Sequence, residues 1–150
     1  MRENSFLSLG PHGFHRLAYT EWGNPNNPHV VVCVHGLARN ARDFDFLAIA
    51  LESDCHVVCP DIVGRGQSDW LSHPAHYSYP VYLSDMAALL ARIGPGTRVS
   101  RFIDKLLRRP SERFLDWVGT SMGGLIGMML AAQPKSPIRR LIITDVGWLV

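Results

Sequence analysis

Short runs of consecutive apolar residues alternate along this chain with stretches in which apolar positions return every three or four residues. The first pattern marks strands covered on both faces, and the second marks helices with one buried side. Residues 14–22 predict an amino-terminal strand, closed by the turn-rich Gly23-Asn24-Pro25-Asn26-Asn27-Pro28. Val30-Val31-Val32-Cys33-Val34 predicts a buried strand ending at His35-Gly36. Phe44, Leu47, Ala48 and Leu51 then recur at helical spacing, with Asp43 placed as the N-cap. Residues 56–59 predict a second buried strand, stopped by Pro60-Asp61. A long loop follows, punctuated by Gly64, Gly66, Pro74 and Pro80. Tyr82, Met86, Leu89, Leu90 and Ile93 line one face of a second helix, which Gly94-Pro95-Gly96 ends. A strand at 114–118, a helix at 125–133 closed by Pro134, and a strand at 140–145 complete the order. Such alternation implies an α/β class: a mostly parallel sheet with right-handed crossovers and flanking helices.

One segment breaks the rhythm. Residues 97–113 carry Arg98, Arg101, Lys105, Arg108, Arg109 and Arg113, with Phe102, Ile103, Leu106 and Leu107 at amphipathic spacing. The segment reads as a short surface helix with a solvated basic face; the competing reading is a helix that docks a partner or an anionic surface.

Composition narrows the class without naming a function. The 150 residues are 47% hydrophobic and 19% charged, as in a folded globular domain, and one domain is expected. A formal charge of +2 gives no reason to expect nucleic acid or an anionic membrane as a partner. No secretory signal is expected in residues 1–13, and the longest apolar stretch, 122–132, is short of the ~18 residues of a membrane span. Cys33, Cys55 and Cys59 fall in or beside strand-like runs, so buried free thiols and a cytoplasmic setting are expected rather than a metal site.

The chemistry centres on Gly119-Thr120-Ser121-Met122-Gly123-Gly124, between the strand at 114–118 and the helix at 125–133. A serine flanked by glycines two residues to either side arises by accident in roughly 5% of chains this long. On a strand-to-helix turn the motif gains specificity, because that is where a nucleophile elbow forms. The turn also sets Ser121 at a helix N-terminus, where developing negative charge is favoured. Two more motifs lie upstream: His35-Gly36-Leu37 after one buried strand, and Asp61-Ile62-Val63-Gly64-Arg65-Gly66-Gln67-Ser68 after the next.

Together, in this order, the three motifs resemble the bacterial esterase/lipase-like α/β-hydrolase superfamily over about residues 14–145. The resemblance implies Ser121 as nucleophile and the backbone N–H groups of Met122 and Leu37 as the oxyanion hole. It implies that His35, Asp61 and Ser68 are structural, and it suggests no role for Arg65 or Gln67. A small-molecule ester or lactone is then the expected substrate, turned over by a carboxylesterase or lactonase through an acyl-enzyme, with no cofactor and no metal. A carbon–carbon bond hydrolase of the same fold and a non-catalytic vestigial or binding domain are the alternatives. An aspartate at the elbow would suit a dehalogenase or epoxide hydrolase, and Ser121 argues against both. Oligomeric state is left open.

The triad in this fold runs Ser, then Asp or Glu, then His. After Ser121 the chain has one acid, Asp145, and no histidine. Asp145, at the end of the last strand, is the candidate triad acid, with a structural turn residue as the competing role. His12, His15, His29, His56, His73 and His76 precede the serine and read as surface or strand residues. The expectation is therefore a single incomplete α/β-hydrolase core over residues 1–150. It would stop after the strand that follows the nucleophile helix, lack the lid and carboxy-terminal strands, and be a catalytically incomplete fragment.

Overall fold

The computed structural model describes residues 1–11, 13–93 and 113–146. The glycine–proline stop at 94–96 and residues 97–112 of the basic insert lie outside the described residues, as does His12. Six strands form one sheet: β1 (Arg2–Gly10), β2 (Gly13–Trp22), β3 (His29–Val34), β4 (His56–Pro60), β5 (Phe114–Thr120) and β6 (Ile138–Thr144), in the order β1-β2-β4-β3-β5-β6. Among the described residues three α-helices flank it: α1 (Asp45–Leu51), α2 (Tyr79–Ile93) and α3 (Met122–Ala131). β3 pairs in parallel with β4 and β5, and β5 with β6, whereas β1–β2 and β2–β4 are antiparallel.

The two apolar runs became central strands because each buries both faces. Val30, Val32 and Val34 enter the core under α2 and α3, with Met86, Leu89, Trp117 and Ile126. The alternate positions, Val31 and Cys33, face Phe44 and Ala48 on the other side. All three cysteines are buried and free. A hydrogen bond to Cys59, reinforced by burial, holds the Cys33 thiol protonated.

Two expectations are corrected. The polar segment Arg2–Gly10 is an edge strand, paired along its length with β2. Its anchor is polar and long-range. The Ser8 hydroxyl donates to Asp85 on α2 at 2.6 Å, and the buried His15 ring meets the same carboxylate at 2.9 Å. Asp43 does not cap the first helix. Asn40 caps a 3-10 turn, Ala41–Phe44, by accepting from the Arg42 N–H at 3.0 Å, and Asp43 pairs with Arg39. That turn displaces the start of α1 to Asp45 and leaves Phe46 exposed.

β6 is the sheet's other edge strand among the described residues, with Ile142 54% exposed. Among the described residues no helix is long and apolar enough to cross a membrane.

Candidate active site

The carboxyl ends of β3 and β5 lie side by side, Val34 paired with Gly119, and both elbow and His35-Gly36-Leu37 loop leave the sheet there. Ser121 connects β5 directly to α3, with φ 50° and ψ −114°. A non-glycine residue at such dihedrals is strained by about 1–3 kcal/mol and persists only where its surroundings impose it. Three hydrogen bonds do so. The Ser121 N–H donates to the Thr144 carbonyl at 2.9 Å, and the Ser121 carbonyl accepts from Gly124 and Leu125 at 2.9 and 3.1 Å.

Packing explains the flanking glycines. A methyl group on Gly119 would collide with the Gly123 carbonyl, and one on Gly123 with the Val34 carbonyl. The Trp117 indole N–H donates to the Gly123 carbonyl at 3.0 Å, fixing the first turn of α3 against its own strand. The Ser121 hydroxyl is left without a hydrogen bond among the described residues, and the side chain is only partly covered.

The β3 loop is placed against this serine: a methyl group on Gly36 would lie 3.5 Å from Ser121 Cβ. The peptide carrying the Leu37 N–H is held through its own carbonyl. Gly36 O accepts from the buried His35 ring at 2.7 Å and from the Arg39 N–H at 3.2 Å. Neither the Leu37 N–H nor the Met122 N–H makes a hydrogen bond among the described residues. Met122 opens α3, so its N–H has no carbonyl to meet within the helix.

His35 has both ring nitrogens engaged. Nε2 accepts from the Ile62 N–H at 3.0 Å, so Nδ1 carries the proton given to Gly36. It is a neutral strut between two loops, and burial pushes its pKa below the ordinary value of 6.5. Because the unfolded chain then takes up this proton first, the stability due to neutral His35 is complete above pH 6.5 and lost as pH falls below it. The slope is at most about 1.4 kcal/mol per pH unit. Urea unfolding at pH 7.5 and 5.5 is expected to show a smaller acid-side loss in His35→Gln than in the wild-type chain; equal losses would remove His35 as the group responsible.

Asp61 and Ser68 organise the neighbouring loop. Asp61 accepts from Ala41 N–H and Gln67 N–H, each at 2.7 Å. Ser68 Oγ donates to the Asp61 carbonyl and accepts from Ala18 N–H. Gly66, at φ 52°, leaves room for the Asp61 carboxylate that any side chain would fill. Arg65 does have a partner in the site: its Nε donates to the Leu37 carbonyl at 3.0 Å. Only the folded loops bring these residues together, and nothing in the local pattern marks the contact.

Four further histidines are committed elsewhere, with His15 on Asp85, His29 on Asp116, His56 on Glu21 and His73 capping Ala75. No described histidine hydrogen-bonds Ser121. Asp145 is exposed, with φ 56°, directly after the Thr144 carbonyl that receives the Ser121 N–H. No group of three or more metal-ligating side chains occurs among the described residues.

A serine on a strained strand-to-helix turn, beside a strand-end loop with an unpaired N–H, defines the α/β-hydrolase class. The chain belongs to that family: the model for the alpha/beta hydrolase fold matches residues 29–148. It is 51% identical over 139 residues to the 3-hydroxybutyrate-oligomer hydrolase of Cupriavidus necator, covering 93% of this chain and 42% of that protein. A Novosphingobium aromaticivorans α/β hydrolase superposes with a TM-score of 0.74 at 34% identity, over 97% of this chain and 44% of that one. A Rickettsia typhi protein described as a hydrolase gives a TM-score of 0.80 at 32% identity, over 98% and 49% respectively. The chain thus spans less than half the length of these proteins.

Proposed function

We propose that this chain supplies the nucleophile and oxyanion hole of a serine hydrolase acting on carboxylic esters, with short oligoesters of a hydroxy acid as the favoured substrates. The observation that carries the reading is Ser121 itself, held at φ 50° with its hydroxyl unpaired among the described residues and the Gly36 loop against it. In the reaction Ser121 Oγ attacks the ester carbonyl carbon and its proton passes to a general base. The Leu37 and Met122 N–H groups receive the oxyanion. Collapse of the tetrahedral intermediate breaks the ester C–O bond as the base returns its proton to the leaving oxygen, and the neutral alcohol departs. Water then attacks the acyl-enzyme and frees the acid. Each oxyanion donor is worth about 3 kcal/mol in the barrier.

What supports the substrate class is the 51% identity to a 3-hydroxybutyrate-oligomer hydrolase. His15, His29, His35, His56 and His73 are each hydrogen-bonded elsewhere, and the chain spans 42% of that hydrolase's length, which favours a base from the part of the protein that this chain does not span. Asp145, next to the carbonyl that anchors the elbow, is the candidate acid to orient that base. The free thiols of Cys33, Cys55 and Cys59 suit a reducing compartment, which favours the cytoplasm.

Two polypeptides test this reading. The intact protein is expected to cleave 3-hydroxybutyrate dimer and p-nitrophenyl acetate. Residues 1–150 alone are expected to turn over p-nitrophenyl acetate no faster than their Ser121→Ala variant. Serine-dependent turnover by residues 1–150 would show that the base lies within them, and an intact protein inert toward both esters would refute the substrate class.

A further inference from the structure

Arg65 makes an arrangement that the chemistry of Ser121 leaves unused. Its backbone belongs to the turn after β4, where the Arg65 N–H donates to the Ile62 carbonyl at 2.9 Å. Its guanidinium donates through Nε to the Leu37 carbonyl at 3.0 Å, and through Nη1 to the Val63 carbonyl at 2.9 Å and the Tyr82 hydroxyl at 3.1 Å. The guanidinium carbon lies 5.7 and 5.5 Å from the ring centroids of Tyr77 and Tyr82. Among the described residues no carboxylate lies within ion-pair distance of it. A planar fork usually met on an acid is here spent on two backbone carbonyls, between two aromatic rings.

The recipient of the Nε bond gives the arrangement its meaning. The N–H and C=O of Leu37 flank one Cα, in a loop whose side chain is 60% exposed and packs little. The peptide before that Cα is held by His35 through the Gly36 carbonyl. The peptide after it is held by Arg65. With both peptides pinned, the direction of the Leu37 N–H is set before substrate arrives. Leu37 and Arg65 also line one cavity of about 540 Å³, together with Trp70 and Tyr77.

We propose that Arg65 is a positioning residue that aims the Leu37 N–H at the oxyanion by gripping the Leu37 carbonyl. The inference rests on the reading of Ser121 and Leu37 given above. Arg65 touches no reacting atom in this role. Removing it frees the second peptide, and displacement of a catalytic donor by a fraction of an ångström is felt in the transition state more than in substrate binding.

The test uses the intact protein with Arg65→Ala, Arg65→Lys and Tyr82→Phe. Arg65→Ala is expected to lower kcat roughly tenfold with KM changed by less than about twofold. Affinity for a trifluoromethyl ketone should fall by the same factor, because Ser121 Oγ adds to its carbonyl carbon and leaves an oxyanion in the same place. Arg65→Lys, which keeps a charge and one donor but not the fork, should fall between wild type and alanine. Tyr82→Phe, which removes one of three anchors, should cost less than either. If Arg65→Ala does not fold, Arg65→Lys and Tyr82→Phe decide by the same split. An unchanged kcat, or a loss confined to KM on carboxylate-bearing esters, would overturn the proposal, the latter by making Arg65 a substrate-binding group. The two readings fail separately. Hydrolysis that depends on Ser121 but ignores Arg65 refutes only the positioning role, whereas hydrolysis that ignores Ser121 refutes the nucleophile beneath it.

Discussion

Replacing Ser121 with alanine is expected to lower kcat of the intact protein by roughly 10⁶-fold, the loss found when a triad nucleophile is removed from other serine hydrolases. Stability should barely move, within about 0.5 kcal/mol. The two expectations belong together because of what Ser121 does in the fold. Its backbone makes three hydrogen bonds, all of which alanine retains, while its hydroxyl makes none among the described residues. A residue whose backbone is held in a strained conformation, and whose hydroxyl bonds no described group, is one whose position serves chemistry. Steady-state kinetics and a thermal melt on the same preparation check both halves. A large loss of stability alongside the loss of activity would assign the hydroxyl a structural role instead.

Gly123→Ala should do the reverse and damage the fold first. Its new methyl group would meet the Val34 and His35 carbonyl oxygens. Val34 is fully buried in a strand paired on both sides, and the His35 ring is pinned at both nitrogens, so neither carbonyl has room to retreat. Overpacking of this kind costs about 3 kcal/mol or more. Relief by displacing α3 would turn Ser121 and the Met122 N–H away from the Leu37 loop. Gly124→Ala is the internal control. Its two nearest contacts are side-chain methyls, Ile143 Cγ2 at 2.7 Å and Val146 Cγ2 at 3.0 Å, with the Gly119 carbonyl oxygen at 3.2 Å, far looser than the approach of a Gly123 methyl to the Val34 carbonyl. Urea unfolding should therefore rank wild type above Gly124→Ala and Gly124→Ala well above Gly123→Ala. Equal losses at the two positions would mean that the elbow tolerates movement of the helix as a whole.

The central strands and the elbow were legible because single residues report their surroundings. Five consecutive apolar residues can only suit a strand with two covered faces, and β3 has them. Glycines on either side of Ser121 signal backbones in close approach, as the Gly119–Gly123 and Gly123–Val34 contacts show. β1 was not legible, because Arg2–Gly10 lacks an apolar run and owes its place to Asp85, far away in sequence. Asn40 and Asp43 are both good cap formers, and only the Ala41–Phe44 turn decides between them. Arg65 was opaque for the same reason as β1: its partners Leu37 and Tyr82 come from the loop after β3 and from α2. No histidine follows Ser121 in the sequence, and His15, His29, His56 and His35 are committed to Asp85, Asp116, Glu21 and the Gly36 peptide.

The most direct measurement is to label the intact protein with a fluorophosphonate and map the adduct by peptide mass spectrometry. Phosphorus bonds only to an activated nucleophile, so the account predicts one adduct, on Ser121, that disappears in Ser121→Ala. An adduct on any other residue, or labelling that persists in Ser121→Ala, would contradict it.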